Sequence, residues 1–506
     1  METPLGLCIG EPSNREVEFV SSKRVQLGDY VEVDFEGERV LAFIKEVRRV
    51  SKALSSDLEP EEIEKLRKLT GGSSFFRGKL SILGNPQKRM ELPRIPPEPG
   101  AYIYPARTQT LQKVFGKDDG TKIHIGHLLT RPDVNVYLDI DSIVSRHLAI
   151  LAVTGGGKSN TASVILQELL EKGGTVLVFD MHGEYVNFDL EVNGTPVVNS
   201  IRLTLNPLRL SYGEFRLFAN VDDSAYIQDR YLRRAFKEVI EEHLKGEFEA
   251  GDFWGVLLAK LKSWAEDENY KEDRKSITGV INKVEDMIEV YSELFDLYQS
   301  PIVEQIELGR LNVIDLSHVD ERIADIVVSH VLRNILEARK RSVRGEEGGL
   351  KFPLLTVLEE AHILASSTVN TKSRYWISRI AREGRKFGLG LCLITQRPKA
   401  LDSNALSQAN NMIILRLVEP GDQRHVQQAS ESLSSDLIEQ LPSLNVGEAL
   451  LMGKMIPIPA LVKVKIATAK RGGNDISAVE EWRRLRKEKD KRALECEDFL
   501  DFGSED

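Results

Sequence analysis

The stretch that most constrains the fold runs from Arg146 to Ser159, RHLAILAVTGGGKS, an apolar run closed by three glycines and then Lys158-Ser159. Leu148 to Val153 predicts a buried strand, and Asn160 to Lys172 predicts the helix after it. Glycine at 155, 156 and 157 lets the backbone turn tightly and aim several N–H groups at one anion with no Cβ in the way. The positive end of the following helix falls on the same spot. This order predicts a phosphate-binding loop in which Lys158 reaches the β- and γ-phosphates of ATP and the Ser159 hydroxyl ligates Mg²⁺. Thr154, Gly155, Gly156, Gly157 and Asn160 complete the predicted nucleotide contacts. Ala152 stands where the consensus G-x-x-x-x-G-K-[ST] has its first glycine, but the triple glycine keeps the part that touches phosphate. The competing reading is a glycine-rich connection with an incidental lysine, against which the strand-loop-helix context counts. Arg146, just before the strand, either pairs a surface carboxylate or contacts phosphate.

A chain of 506 residues is too long for one core, so two to four folding units are expected. No apolar run approaches the ~18 residues of a membrane span, and the N-terminal METPLGLCIGEPSNREVEF lacks a basic segment before an apolar one. The expectation is a cytoplasmic protein without a membrane segment. Cys8, Cys392 and Cys496 are too dispersed for a disulfide framework or a zinc knuckle. A net charge of −10 argues against a generally basic surface but leaves room for a local basic channel, because a ring multiplies a few inner cations by symmetry.

Residues 1–100 predict a small β-barrel: Glu16 to Val20, Tyr30 to Phe35, Val40 to Val47 and Phe75 to Leu83 alternate as strands, with a short helix expected over Glu61 to Leu69. The prolines of ELPRIPPEPG then predict a stiff linker and a boundary near residue 100. An α/β core is expected over 101–210 and 311–470, interrupted by a helical insertion at 211–310 and followed by a charged helical extension at 471–506. In the core, Val134 to Ile140 and Thr175 to Asp180 predict strands. Asp180, His182 and Glu184 follow the second of these and are read as lining the nucleotide pocket; as a metal cluster they would suit Mg²⁺ and water better than zinc. The extension carries a narrow apolar stripe, Val479, Trp482 and Leu485, which predicts docking on a neighbouring subunit or fraying.

Phe352 to Leu358 runs as an apolar strand into Glu359-Glu360, the pattern of a Walker B motif. One carboxylate, Glu359, holds Mg²⁺ and the next, Glu360, polarises the attacking water. The plainer alternative is an acidic helix start, which the upstream phosphate loop disfavours. Arg379, Arg382, Arg385 and Lys386 follow on a predicted basic helix, and Gly388 to Thr395 is a further buried strand ending at Gln396, placed to sense the γ-phosphate.

Taken together, RHLAILAVTGGGKSN, FDMHGEY, LLTVLEEAH and AREGRKFGLGLCLITQRP, in that order, resemble the HerA family, archaeal hexameric DNA translocases of the HerA and FtsK branch of RecA-like ATPases. The resemblance implies a RecA-like P-loop ATPase core behind an N-terminal barrel, an ATP-driven homohexamer encircling double-stranded DNA, and a NurA-type nuclease as partner in resecting DNA ends for recombinational repair. It further implies that Lys158 and Ser159 are the Walker A residues, Glu359 and Glu360 the Walker B pair and Gln396 the sensor. Arg385, or else Arg382, resembles the arginine that enters a neighbour's site, and Arg146 a phosphate contact in its own. Other readings weighed are a conjugation-type or protein-remodelling ring ATPase and a nucleotide-switched scaffold; intact Glu359-Glu360 and Gln396 count against the last.

Overall fold

Apolar runs in the sequence form strands buried at every residue: Leu148–Leu151, Val176–Asp180, Leu354–Leu358 and Leu389–Thr395. Burial on both faces is the mark of a parallel sheet covered by helices. The computed structural model describes residues 3–51, 74–430, 433–469 and 478–486, and in it these strands form the centre of an eleven-stranded sheet. Across the sheet the order is Val198–Ile201, Leu311–Asp315, Val176–Asp180, Leu354–Leu358, Leu389–Thr395, Leu148–Leu151 and Asn411–Ile414, all mutually parallel. Glu448–Met452, Ala460–Val464, Lys122–Leu128 and Asn135–Asp139 extend it antiparallel. The strand leading into the phosphate loop thus has the sensor strand on one side, and the Walker B strand lies one place further out.

The expected strand over Val134 to Ile140 ends at Asp139. There the carboxylate accepts from the Ser142 backbone N–H at 2.7 Å and starts a helix, Ile140–Arg146.

The N-terminal strands alternate in burial, as a half-solvated sheet requires, and close into a six-stranded barrel with its own core of Val17, Phe19, Val33, Ile44, Leu80 and Ile103. The sixth strand, Tyr102–Pro105, comes after the prolines and pairs with both Gly6–Ile9 and Tyr30–Phe35. The boundary expected at residue 100 therefore falls inside the barrel's circuit: the prolines span between two of its strands. The helix expected over Glu61 to Leu69 lies outside the described residues.

The insertion is helical as expected, with Tyr212–Phe218, Tyr226–Leu244, Phe253–Glu266 and Arg274–Val290 packed through Phe215, Phe236 and Phe253. Its Glu214 joins it to the long core helix Glu321–Val343 through His330 and Arg333, at 3.3 and 3.1 Å. Residues 478–486 are helical with Val479, Trp482 and Leu485 exposed; Cys496 and the rest of the extension lie outside the described residues. Among the described residues no helix is long and apolar enough to cross a membrane.

Candidate nucleotide site

The chain leaves Leu151 at the carboxyl end of the parallel strands and turns through Thr154 to Gly157 before the helix Lys158–Glu171. Gly155 and Gly157 adopt φ of 75° and 100°, which a side chain disfavours, and a Cβ on Gly157 would meet the Gly447 backbone N at 3.1 Å. Ala152 is fully buried and is absent from the positive-φ positions, so the place where the consensus carries glycine needs none here. The loop is braced at both ends, by Gly156 N–H to the Val153 carbonyl at 3.0 Å and Thr161 N–H to the Gly157 carbonyl at 3.0 Å.

Glu359 and Glu360 follow the Walker B strand, and both are buried. With the sensor strand between them, the two loops stand about 10 Å apart at ordinary strand spacing. Lys158 and Glu360 close that gap: Lys158 Nζ donates to Glu360 Oε1 at 2.6 Å. The second oxygen of Glu360 lies 3.3 Å from Nδ1 of His362. Burial raises the Glu360 carboxyl, but the His362 ring beside one oxygen and the Lys158 ammonium on the other outweigh it and hold the group at about 2. Glu360 is therefore ionised at neutral pH. Its backbone is left-handed, φ 42° and ψ 47°, at the start of the one-turn helix Ala361–Leu364, a conformation costing roughly 1–2 kcal/mol in a non-glycine residue. Gln396, just past the sensor strand, accepts from the Thr154 hydroxyl at 2.6 Å. The structure thus brings together Thr154, Lys158, Glu360 and Gln396, with the loop glycines and the exposed Ser159 beside them.

Three arginines lie elsewhere. Arg146 ends the helix that precedes the strand Leu148–Leu151, at the amino edge of the sheet, whereas the phosphate loop leaves the carboxyl edge about 13 Å away along four residues. It lines a separate cleft with Asn410, Met452 and Lys454. A phosphate contact by Arg146 within its own subunit is accordingly corrected: eight residues of sequence separate it from Gly155, the loop's first glycine, but the strand carries the chain to the opposite edge. Arg385 is also at the amino edge, on the 3-10 turn Gly384–Phe387 and not on the helix Lys372–Glu383 that carries Arg382; both are exposed.

His147 fixes this edge, a role the sequence did not reveal. Its Nδ1 accepts from the Leu391 backbone N–H at 3.0 Å, so Nε2 carries the proton to the Ala381 carbonyl at 2.9 Å. Arg146 and Arg382 are each one residue from an end of that second bond. Burial drives the His147 imidazole down to about 4, keeping it neutral. Gly390 permits the close approach, since a Cβ there would meet the Val144 carbonyl at 2.5 Å.

Two further expectations change. Asn160 is committed to structure: its Nδ2 donates to the Lys465 carbonyl at 2.8 Å and its Oδ1 accepts from Ala467 N–H at 2.9 Å. Asp180 is fully buried and accepts from the backbone N–H of His182, Glu184 and Tyr185 at 3.3, 3.1 and 2.8 Å, shaping the turn after its strand. Among the described residues no cluster of three or more His, Cys, Asp or Glu is arranged to hold a metal ion.

The sequence is similar to known proteins along nearly its whole length. The family described as "Helicase HerA, central domain" matches residues 123–335, and the HAS barrel domain matches residues 5–80. The DNA double-strand break repair helicase HerA of Saccharolobus solfataricus is 39% identical over 99% of each chain. The chain belongs to the HerA helicase family. A probable helicase of Methanocaldococcus jannaschii is 41% identical over 94% of each chain, and HerA of Pyrococcus furiosus is 34% identical over 96% of this chain and 98% of that protein. The VirB4 structure of Thermoanaerobacter pseudethanolicus overlaps 70% of this chain and 99% of its own, at 18% identity and a TM-score of 0.49. As a HerA-family member the chain is an ATP hydrolase, with a nucleotide-binding P-loop core behind a HAS barrel.

Proposed function

We propose that this HerA-family ATPase is a double-stranded DNA translocase and helicase, working in the cytoplasm as a homohexameric ring with a NurA-type nuclease to resect ends in double-strand break repair. The relatives' names support the repair role. The observation that carries the ring is the split of the site across the sheet. The phosphate loop and Glu360 occupy one edge, while Arg146 and Arg385 occupy the other, where a neighbouring copy's nucleotide would meet them. Arg385, with Arg382 as the nearest substitute, serves as the trans arginine, and Arg146 joins it from the same edge.

ATP binding draws Lys158 from Glu360 onto the β- and γ-phosphates, whose oxygens also accept from the loop N–H groups. Glu360, ionised and released on one oxygen, accepts a hydrogen bond from the attacking water and orients it. Gln396 releases the Thr154 hydroxyl and donates its amide N–H to the γ-phosphate. Oxygen donors suit Mg²⁺, and an exposed hydroxyl and a buried carboxylate stand at the ends of the loop and the Walker B strand; Ser159 and Glu359 would hold the ion. When bound it supplies neutralising charge to the phosphate oxygens. Steady-state ATP hydrolysis with and without duplex DNA tests this reading. Duplex should stimulate the wild type, and Glu360→Gln should bind ATP yet turn over 10²- to 10⁴-fold more slowly, the usual range for a lost base. Wild-type turnover in Glu360→Gln would move the base elsewhere, with Glu184 next in line.

A further inference from the structure

Hydrolysis leaves His362 without a role, although its ring touches two parts of the site at once. Nδ1 is hydrogen-bonded to the Thr395 hydroxyl at 3.1 Å and lies 3.3 Å from Glu360 Oε2, a buried oxygen with no hydrogen-bond partner among the described residues. The side chains of Glu360 and His362 are only 6% and 14% exposed, so bulk water does not stand in for either contact. Thr395 is the last residue of the sensor strand and is fully buried; its Oγ1 also accepts the Arg397 backbone N–H at 3.0 Å, which fixes it in the turn that presents Gln396.

When Lys158 turns to phosphate, Oε1 of Glu360 loses its partner and must face water in one orientation. The terminal torsion of a glutamate is broad, so one free oxygen does not orient itself. A single Nδ1 proton shared between that other oxygen and the Thr395 Oγ1 supplies the missing restraint. We infer that His362 is a positioning residue: it holds the Glu360 carboxylate in line with the attacking water and ties it, through Thr395, to the sensor strand. This inference rests on Glu360 being the base.

The test is steady-state ATPase of the full chain with duplex DNA, together with calorimetric ATP affinity. His362→Leu keeps bulk without a donor, and His362→Asn returns an amide donor near the Nδ1 position. His362→Leu should lower kcat about a hundredfold, the scale of a misplacement near 1 Å, with the ATP Kd unchanged. His362→Asn should recover most of that loss. Combined with Glu360→Gln, His362→Leu should slow turnover no further. Wild-type kcat in His362→Leu, an equal loss of ATP affinity, an Asn variant no better than Leu, or an additive double variant would each overturn the inference. Thr395→Val gives the second route should His362→Leu fail to fold: reduced kcat at unchanged Kd supports the anchor, and wild-type kcat overturns it. Glu360→Gln alone at wild-type turnover refutes the base itself, a result separate from all of these.

Discussion

Replacing Glu360 with glutamine should make the protein bind ATP more tightly while hydrolysing it slowly. Lys158 must leave Glu360 to reach phosphate, and their 2.6 Å contact is a cost of binding. Holding the carboxyl at about 2 instead of 4.5, against burial, amounts to about 3 kcal/mol at 1.36 kcal/mol per pH unit. His362 and Lys158 share that figure. If Lys158 carries a share on the order of 1 kcal/mol, its release is worth several-fold in affinity. The neutral amide keeps the shape of the side chain and loses the charge attraction. Isothermal titration of a non-hydrolysable ATP analogue into the wild type and Glu360→Gln measures the difference. An unchanged or weaker Kd in the variant would refute the reasoning, since the pair would then be no obstacle to nucleotide.

Acid should destabilise the free protein in two overlapping windows. His147 is held at about 4 against 6.5 and Glu360 at about 2 against 4.5, so between each pair of values the unfolded chain holds more protons and stability falls with pH. A Tm that stays flat as pH drops from 6.5 to 4 would contradict the His147 assignment. Asn160→Ala should cost about 1–3 kcal/mol by stranding a carbonyl and an N–H, lowering Tm and leaving ATP affinity intact; the reverse pattern would restore Asn160 to the nucleotide. Duplex binding should weaken log-linearly with salt and ignore sequence, and affinity maintained across a several-fold rise in salt would argue against phosphate-backbone contacts.

The central strands were legible because a parallel strand covered on both faces must be apolar throughout, as Leu148–Leu151 and Leu389–Thr395 are. Val198–Ile201 was not, since its polar residues hide any period, and in Lys122–Leu128 a brief alternation is broken by a register shift between His124 and Gly126; both take their places from partners far along the chain. The barrel's last strand, YIYP, is too short to outweigh the prolines before it. Lys158, Glu360 and Gln396 could be found because their chemistry is tied to strand ends. Arg146 misled for the same reason: a residue close in sequence to the loop stands at the strand's other end. The bonds of His147, the tie from His362 to Thr395 and the double commitment of Asn160 reach partners between 33 and more than 300 residues away, which no local pattern encodes.

The split of the site across two sheet edges is tested most directly by mixing defects. Lys158→Ala removes the phosphate lysine from one edge, and Arg385→Ala removes the trans cation from the other, a group worth about 10³- to 10⁵-fold in phosphoryl transfer. Co-expressed with different tags and purified through both, the two variants form some interfaces with an intact loop facing an intact arginine. The account predicts duplex-stimulated ATP hydrolysis in the mixed assemblies well above either parent, and Arg146→Ala in place of Arg385→Ala should complement Lys158→Ala in the same way. Mixed assemblies no more active than the two inactive parents would contradict a site completed between subunits.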